Sequence, residues 1–378
     1  MRWKPKDLMI VGLCTLLLLV LVELAISELF FLKRGPEPFA ILFAARKGAS
    51  SLFNDRSERQ AREKTQIIAD NARRGVEAVP AYYFDPHFHP MDREFFPLAG
   101  VSRSLTILCN EAGFMSTFTS DRYGFNNEDR AWDLPSKVFL VGDSYTLGSC
   151  VNQGDDVASV LRARGINAVS LGVLGAGPLY ELAVLKEYCR SDARAVVWLF
   201  FAGNDLNNLR AEKGSPVARY LYDRDFSQGL KDRQQEVDQY LRTFFALELD
   251  RLKRRGFEPP AQGFPPLDRI EAEDKEIPLL KLILEESGSF LHLRGIERLD
   301  LVFFTNSAYD PEIQDLARTS LRRICSELNM GFFDFSRQFS PADYAKLFVG
   351  GPYEHFSVAG YARFAEFLAS EVIGPISD

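Results

Sequence analysis

The stretch VFLVGDSYTLG, residues 138–148, decides the fold of this chain. Its apolar run ends in Gly-Asp-Ser and leads directly into a helix-like segment, which is the pattern of a strand buried on both faces and followed by a helix. A serine at such a turn lies at the carboxyl edge of a sheet, where open α/β folds place their ligands. It also lies at a helix amino terminus, whose N–H groups favour an oxyanion. Ser144 is therefore a candidate nucleophile, and the alternative is a helix N-cap without a chemical role.

From Lys137 onward, strand-like and helix-like segments alternate. Short apolar runs predict four further strands, at residues 165–171, 195–201, 299–304 and 331–335. Asp310 and Pro311 open a helix between the last two, as an N-cap and a first-turn proline. Alternation of this kind indicates a parallel sheet with helices on both faces. We therefore predict an α/β fold, a three-layer α/β/α arrangement with roughly five parallel strands in the flavodoxin-like manner.

The amino terminus carries a separate signal. Arg2, Lys4 and Lys6 precede a mainly apolar stretch from Leu8 to Ser27, and roughly 20 such residues suffice for a helix to cross the hydrocarbon of a bilayer. Basic residues at the start favour an amino terminus in the cytoplasm and export of everything downstream. One N-terminal transmembrane helix is thus predicted, and the alternative is a signal peptide cleaved near the small residues of Ala25–Ser27.

The pattern divides the chain into three regions. Residues 1–33 are the cytoplasmic tip and transmembrane anchor, residues 34–120 a juxtamembrane stalk and N-terminal lobe, and residues 121–378 the main domain. The stalk contains a polar helix predicted from Asp55 to Arg74. Residues from about 210 to about 290 break the alternation with an amphipathic helix and a proline-rich loop, so we predict a lid-like insertion there.

Composition disfavours two classes of protein. The net charge of −7 argues against a nucleic-acid binder, which normally has a basic surface. None of the five cysteines stands in a C-x-x-C pair, so zinc is not expected. His87 and His89 could face the same way as a metal pair, but no cysteine or carboxylate cluster stands near them. We expect no metal and no nucleic-acid partner.

Three further short motifs follow predicted strands or stand near the carboxyl terminus: GVLGAGP at residues 172–178, AGND at residues 202–205 and YEHFSVAGY at residues 353–361. Together with the GDS block, in this order, the set resembles the SGNH (GDSL-type) hydrolase superfamily from about Tyr123 to the end of the chain. The segment from Tyr123 to Phe125 also resembles a lead-in seen in exported members, although Asn126 stands where the family usually has arginine.

The resemblance implies a role for each matching residue. Ser144 would be the nucleophile, and His355 the base that takes its proton and later returns one to the leaving group. The oxyanion hole would combine the backbone amides of Ser144 and Gly175 with the side-chain amide of Asn204. Asp143 would be structural. A phosphate-accepting Asp143 is the rival interpretation, and no basic residue or second carboxylate accompanies it.

One position departs from the family pattern. The family usually has an aspartate two or three residues before the histidine, where this chain has Pro352 and Tyr353. Glu354 could orient His355 instead, although adjacent residues on a turn often point to different places. A more distant carboxylate could also serve (Asp334 or Asp343), and so could a backbone carbonyl. We expect a Ser144–His355 dyad with a non-adjacent orienting group.

These observations predict a membrane-anchored, extracytoplasmic serine hydrolase that cleaves an ester through an acyl-enzyme on Ser144, without a cofactor. The location suggests O-acyl groups on an envelope glycan as substrate, or a small acylated molecule. Two alternatives remain open. One is an O-acyltransferase of the same fold acting on a polysaccharide, and the other is a non-catalytic binding or scaffold protein, which the missing aspartate would explain.

Overall fold

The computed structural model describes residues 58–83, 95–135, 137–255, 267–349 and 355–374. Its first element is helix α1, Glu58–Arg73, which agrees with the predicted polar helix. A small three-stranded sheet follows, with β1 at Ala78–Pro80, β2 at Leu105–Ile107 and β3 at Thr117–Thr119. Strands β1 and β2 are parallel, whereas β2 and β3 form an antiparallel hairpin. We call these elements the N-terminal lobe.

The main sheet has five strands, all parallel, as predicted. They are β4 Lys137–Gly142, β5 Ala168–Ser170, β6 Ala193–Phe201, β7 Leu299–Phe304 and β8 Gly331–Asp334. Their spatial order is β5-β4-β6-β7-β8, so the first strand of the sheet lies second from the edge, as in flavodoxin-like folds. After β5 the chain crosses to the other side of β4, so the neighbouring strands β4 and β6 form the switch point at whose carboxyl ends open α/β sheets bind ligands.

Helices connect and cover these strands. They are α2 Ser144–Leu147, α3 Val157–Ala163, α4 Pro178–Tyr188, α5 Asp205–Glu212, α6 Arg219–Tyr222, α7 Gln234–Arg255, α8 Arg269–Glu271, α9 Ile277–His292, α10 Pro311–Glu327, α11 Pro341–Ala345 and α12 Val358–Phe367. A wider, π-helical turn continues from α8 into α9, and another extends α12 to Ile373. The predicted cap of α10 is present, because Asp310 accepts a hydrogen bond from the backbone N–H of Glu312 at 2.8 Å.

Two hydrophobic clusters lie on opposite faces of the sheet. Successive side chains of a strand point to opposite faces, and in β4 Phe139 and Val141 belong to one cluster whereas Val138 and Leu140 belong to the other. The first cluster includes residues of α4, α9 and α10, and the second includes residues of α3 and α12. Helices thus cover both faces, and the three layers follow from an apolar strand that must be buried on both sides.

The segment predicted as a lid-like insertion contributes to the same core. Helix α7 buries Val237, Leu241 and Phe244 in the first cluster, and α9 covers the sheet. Asp238 at the start of α7 also accepts hydrogen bonds from the N-terminal lobe, from the backbone N–H of Ser102 at 2.8 Å and from its hydroxyl at 2.6 Å. A lid role for this segment stays a prediction.

The predicted membrane anchor, Leu8–Ser27, lies outside the described residues, as do His87 and His89. Among the helices within the described ranges, none combines the length and the apolar character needed to cross a bilayer.

Candidate active site

The residues predicted for catalysis follow three neighbouring strands. Ser144 comes after β4, Gly175 after β5 and Asn204 after β6, and β4 pairs with both of the other strands in parallel. Because the carboxyl ends of parallel strands meet at one edge of a sheet, these three residues share that edge. His355 comes to the same edge from the segment before α12, since its ring contacts Ser144.

The turn that carries Ser144 is shaped by the two residues before it. A side chain at Gly142, whose φ is +157°, would collide with the hydroxyl of Thr146 and the backbone carbonyl of Leu199, so the strand can pass into the helix only with glycine there. Asp143 is the N-cap of α2 and accepts a hydrogen bond from the backbone N–H of Tyr145 at 2.9 Å. The cap is therefore Asp143, and the interpretation of Ser144 as the capping residue is wrong.

His355 contacts the hydroxyl of Ser144 directly. Its Nε2 lies 2.9 Å from Ser144 Oγ. The imidazole packs beside the ring of Tyr145, with the ring centres 5.0 Å apart, and its backbone carbonyl accepts a hydrogen bond from Val349 at 2.9 Å. Ser357 caps α12 by accepting from the backbone N–H of Gly360 at 3.1 Å. The pair therefore has the geometry in which an imidazole can remove the serine proton.

A carboxylate from the N-terminal lobe orients the imidazole. The side chain of Glu111 lies 3.0 Å and 3.1 Å from His355 Nδ1 through its two oxygens, and it also accepts a hydrogen bond from the backbone N–H of His355 at 2.8 Å. Only 8% of the Glu111 side chain is exposed. A carboxylate at Nδ1 keeps the proton on that nitrogen, which leaves Nε2 as the acceptor of the serine proton. Ser144, His355 and Glu111 thus form a continuous hydrogen-bonded chain.

The other orienting groups considered from the sequence do not take this position in the described structure. Asp334 binds the guanidinium of Arg318 at 2.9 Å, and Asp343 pairs with Lys346 at 2.8 Å. Glu354 lies outside the described residues. The carboxylate that contacts Nδ1 in the described structure is the distant Glu111, and the expectation of a dyad is corrected because this carboxylate adds a third member to the hydrogen-bonded chain. That the orienting group is non-adjacent stays a prediction.

Asp143 lies beside Ser144, and its contacts are those of a residue that stabilises the turn. It is fully buried, and its second oxygen lies 3.3 Å from Ser144 Oγ, farther than the nitrogen of His355. Burial raises the pKa of Asp143 to about 6, against the opposing effect of hydrogen bonds that include the side chain of Asn204. Asp143 thus caps α2 and bonds the asparagine predicted for the oxyanion hole.

The loop that carries Gly175 is fixed by helix α5. Gly175 has a φ of +74°, which favours glycine, and the amide of Asn208 donates to the backbone carbonyl of Ala176 at 3.1 Å. At the other end of the loop, the buried carboxylate of Glu212 accepts from the backbone N–H of Gly177 at 2.6 Å. Since α5 begins next to Asn204, one helix positions two of the predicted oxyanion donors.

A disulfide joins the loop of Glu111 to the turn after α2. Cys109, two residues before Glu111, is bonded to Cys150, and Cys150 Sγ lies 3.9 Å from His355 Nδ1. Cys189 and Cys325 are buried thiols without a disulfide partner. Ligand atoms of Glu111, Cys150 and His355 lie within 4.8 Å of one another, as in a metal site, but the sulfur of Cys150 is bonded to Cys109 and does not offer a thiolate.

Three solved structures are similar to this chain over nearly their whole length. A protein assigned to the lipolytic G-D-S-L family from Desulfitobacterium hafniense DCB-2 is 14% identical with a TM-score of 0.36, and the match covers 61% of this chain and 97% of that chain. A member of the lipolytic G-D-S-L family from Veillonella parvula DSM 2008 is 14% identical with a TM-score of 0.35, covering 63% and 97%. Phospholipase A1 from Streptomyces albidoflavus NA297 is 10% identical with a TM-score of 0.36, covering 61% and 95%. Neither a family model nor a curated protein matches the sequence.

Glu111 is the site residue that sequence reasoning missed. It stands 244 positions before His355, in the loop of the β2–β3 hairpin and ahead of the boundary drawn at residue 121. The signal that could have found it is the cysteine pair, because a bridge from Cys109 to Cys150 brings residue 111 close to the segment that follows Ser144.

Proposed function

We propose that this chain is an SGNH-type serine hydrolase that cleaves carboxylic esters through an acyl-enzyme on Ser144. The observation that carries the proposal is the chain of hydrogen bonds from Ser144 Oγ to His355 Nε2 at 2.9 Å and from His355 Nδ1 to Glu111 at 3.0 Å. Nucleophile, base and orienting acid are the three groups that this type of acyl transfer requires. The non-catalytic alternative rests on the absent aspartate, and it loses that motive because Glu111 occupies the corresponding position at Nδ1.

Acylation follows from this arrangement. Ser144 Oγ attacks the acyl carbonyl while His355 Nε2 takes the hydroxyl proton, and Glu111 stabilises the imidazolium that forms. The carbonyl oxygen becomes an oxyanion, for which the Ser144 and Gly175 amides and the Asn204 side chain are the proposed donors. When the tetrahedral intermediate collapses, His355 gives its proton to the departing alcohol oxygen and the acyl group stays on Ser144.

Deacylation repeats these steps with water as the nucleophile. His355 takes one proton from water as its oxygen attacks the acyl carbon, and the imidazolium then returns a proton to Ser144 Oγ as the acid product leaves. An acyltransferase would use a sugar hydroxyl in place of water at this stage. The two activities share every residue of the site, so the acceptor distinguishes them.

We propose that the domain lies outside the cytoplasm and is held to the membrane by the segment Leu8–Ser27. Two observations support it: the basic residues before the apolar segment, and the Cys109–Cys150 disulfide, since disulfides persist mainly in oxidising compartments. Retention of the full-length protein in washed membranes tests the anchor. Release of a mature chain beginning at Glu28 into the soluble fraction would support the cleaved signal peptide instead. An O-acylated envelope glycan is the substrate class that this location favours.

Turnover of a chromogenic acetate ester by the purified exported part of the chain tests the chemistry. Ser144→Ala and His355→Ala should each remove nearly all activity, and the double change should cost little more, because residues that act as a unit are not additive. Near-full turnover by Ser144→Ala would overturn the nucleophile assignment. Adding an O-acetylated glycan together with an unmodified acceptor glycan distinguishes the two fates of the acyl group, as free acetate or as acetylated acceptor.

A further inference from the structure

We propose that the Cys109–Cys150 disulfide positions Glu111 against His355, so that turnover requires the oxidised form of the protein. This inference rests on the proposed function and adds a redox dependence to it. The bridge joins two loops whose residues must lie close to each other for the proposed reaction. One carries the acid, two residues after Cys109, and the other is the turn that follows the nucleophile, six residues after Ser144.

The loop between β2 and β3, residues 108–116, which we call the acid loop, has an exposed tip. Residues 112–114 are exposed, with 41% of Phe114 accessible. Asn110 ties the loop to α1, where Gln60 donates to its backbone carbonyl at 2.6 Å and its own amide donates to Glu63 at 3.1 Å. These bonds hold the loop to the N-terminal lobe and none of them reaches the sheet that carries Ser144.

The base of the hairpin is docked on the main domain by β3. The backbone N–H groups of Thr117 and Thr119 donate to the side chains of Asn152 at 3.1 Å and Gln153 at 3.2 Å. These contacts lie several residues from Glu111. Nearer to it, the backbone N–H of Ser116 donates to the carbonyl of Cys109 at 2.9 Å, which closes the hairpin within the N-terminal lobe but does not join it to the turn after Ser144. Ordering each loop residue costs conformational entropy, and the hydrogen bonds of a single carboxylate must offset that cost when no cross-link restricts the loop.

Cys150, the second cysteine of the bridge, has an unusual backbone conformation. Cys150 is a non-glycine residue with a φ of +64°, a conformation that persists only where the surroundings enforce it. The turn that contains Cys150 is bonded to the residue of the nucleophile, because the backbone N–H of Ser149 donates to the carbonyl of Ser144 at 3.0 Å. A bond to Cys109 therefore fixes the acid loop relative to the turn of the nucleophile.

Reduction has a defined chemical course. Cys109 is half-buried and Cys150 is buried, so a thiolate of a dithiol reductant attacks the sulfur of Cys109 and Cys150 departs as a thiolate. The second thiol of the reductant then displaces Cys109, and the reductant leaves as its own disulfide while both cysteines become thiols. The sulfur of Cys150, already 3.9 Å from His355 Nδ1, is then a competing partner for that nitrogen.

The test compares oxidised protein, protein reduced with dithiothreitol and the Cys109→Ser/Cys150→Ser variant, using kcat and KM for a chromogenic acetate ester. We expect reduction and the double variant to lower kcat to the level of Glu111→Gln, about 10⁴-fold, with KM within about twofold, because an interaction made in the transition state is lost and substrate binding is not. Reoxidation should restore kcat.

In a Glu111→Gln background, the two cysteine changes should lower kcat by less than about threefold more. Cys325→Ala, which removes a buried thiol outside the site, should keep both the activity and its sensitivity to reduction.

Three outcomes would overturn the proposal. The first is a reduced protein or double variant that keeps more than half of kcat. The second is a loss that multiplies with that of Glu111→Gln. The third is loss of native circular dichroism by both reduced protein and variant, which would show that the bridge holds the whole fold. A failure of the proposed function looks different, because the oxidised wild type would then lack Ser144-dependent turnover in any redox state.

Discussion

In the proposed mechanism, Glu111 is the orienting partner of the base His355. Its two oxygens serve the ring and the backbone of His355 together, at 3.0 Å and 2.8 Å. The carboxylate thereby fixes both the tautomer and the position of the histidine. An amide in its place would keep the shape of the side chain, but one of the two oxygens would become an N–H₂ group that cannot accept from Nδ1.

We predict that Glu111→Gln lowers kcat for a simple ester by about 10⁴-fold, the cost seen when the orienting carboxylate of a serine hydrolase becomes an amide. The wrong tautomer would then place a proton on Nε2, which could not accept one from Ser144. The measurement is kcat with the thermal midpoint recorded alongside. Glu63→Gln is a matched control, because Glu63 accepts from Asn110 in the same loop at 3.1 Å and does not contact the imidazole.

Glu354→Gln decides between the two candidate acids. If Glu111 orients the ring, this change costs only a small factor. If Glu354→Gln lowered kcat by several orders of magnitude and Glu111→Gln had little effect, the adjacent carboxylate of Glu354 would be the group that orients His355.

The residues of the site differ in how far the sequence could reveal them. Ser144, Gly175 and Asn204 each follow a strand, so a local pattern together with the rule that parallel strands end at one edge places them together. Glu111 belongs to a separate small sheet, and its approach to His355 is made through a hairpin loop and a disulfide. The hairpin loop has no local sequence signal, and the two cysteines become a signal only once their pairing is known, because the pairing cannot be deduced from their spacing alone.

At the scale of elements, the segment before β4 positions the edge of the main sheet. The carboxylate of Asp121 organises it: one oxygen accepts from the backbone N–H groups of Tyr123 at 2.8 Å and Phe125 at 3.0 Å. The other accepts from Asn127 at 2.8 Å and from the indole of Trp132 at 2.7 Å. Asn127 in turn pairs with the backbone of Ser170, accepting at 2.8 Å and donating at 2.9 Å, and so extends the edge of β5.

We predict that Asp121→Asn lowers the free energy of unfolding by about 2–4 kcal/mol, because an amide nitrogen would face donors that the second carboxylate oxygen now accepts. Urea unfolding measures the change. Asp133→Asn is the matched control: Asp133 is an exposed partner of Arg122 at 2.6 Å, and exposed ion pairs contribute about 1 kcal/mol or less. Equal effects of the two substitutions would contradict a special role for the buried carboxylate.

The predicted elements were most accurate where burial dictated the pattern. The run at residues 299–304 is a strand over the same residues, and the amphipathic helix lies at Gln234–Arg255. The second strand is shorter than predicted, Ala168–Ser170, because the turn after α3 includes Gly165 and the strand begins only three residues later. The small sheet of the N-terminal lobe could not be read from the sequence, since strands of three residues carry too little periodicity.

At the scale of the whole molecule, the protein buries carboxyl groups whose pKa values are raised. Asp121, Asp143 and Glu212 are fully buried. Burial raises the pKa of Asp121 to about 6, that of Asp143 to about 6 and that of Glu212 to about 8. Two of them cap or brace the site, since Asp143 caps α2 and Glu212 accepts from the backbone beyond Gly175. The fold thus binds protons at these groups more tightly than the unfolded chain does.

These raised pKa values set the sign of the pH dependence of the protein's stability. A group whose folded pKa lies above its unfolded value contributes stability that is complete below the unfolded pKa and is lost as the pH rises through the folded one. We therefore expect the free energy of unfolding to fall between about pH 4 and pH 8, by an amount on the order of 1.4 kcal/mol per pH unit for each titrating group. The paired surface carboxylates, such as Asp129 and Glu236, have lowered pKa values. Their contribution to stability is therefore lost only at more acidic pH and does not mask the fall in stability.

Urea unfolding across this pH range measures the fall, and Glu212→Gln should flatten the part between pH 6 and 8. A free energy of unfolding that rises across the same range would mean that these carboxyl groups are stabilised as anions by their hydrogen bonds more strongly than burial destabilises them.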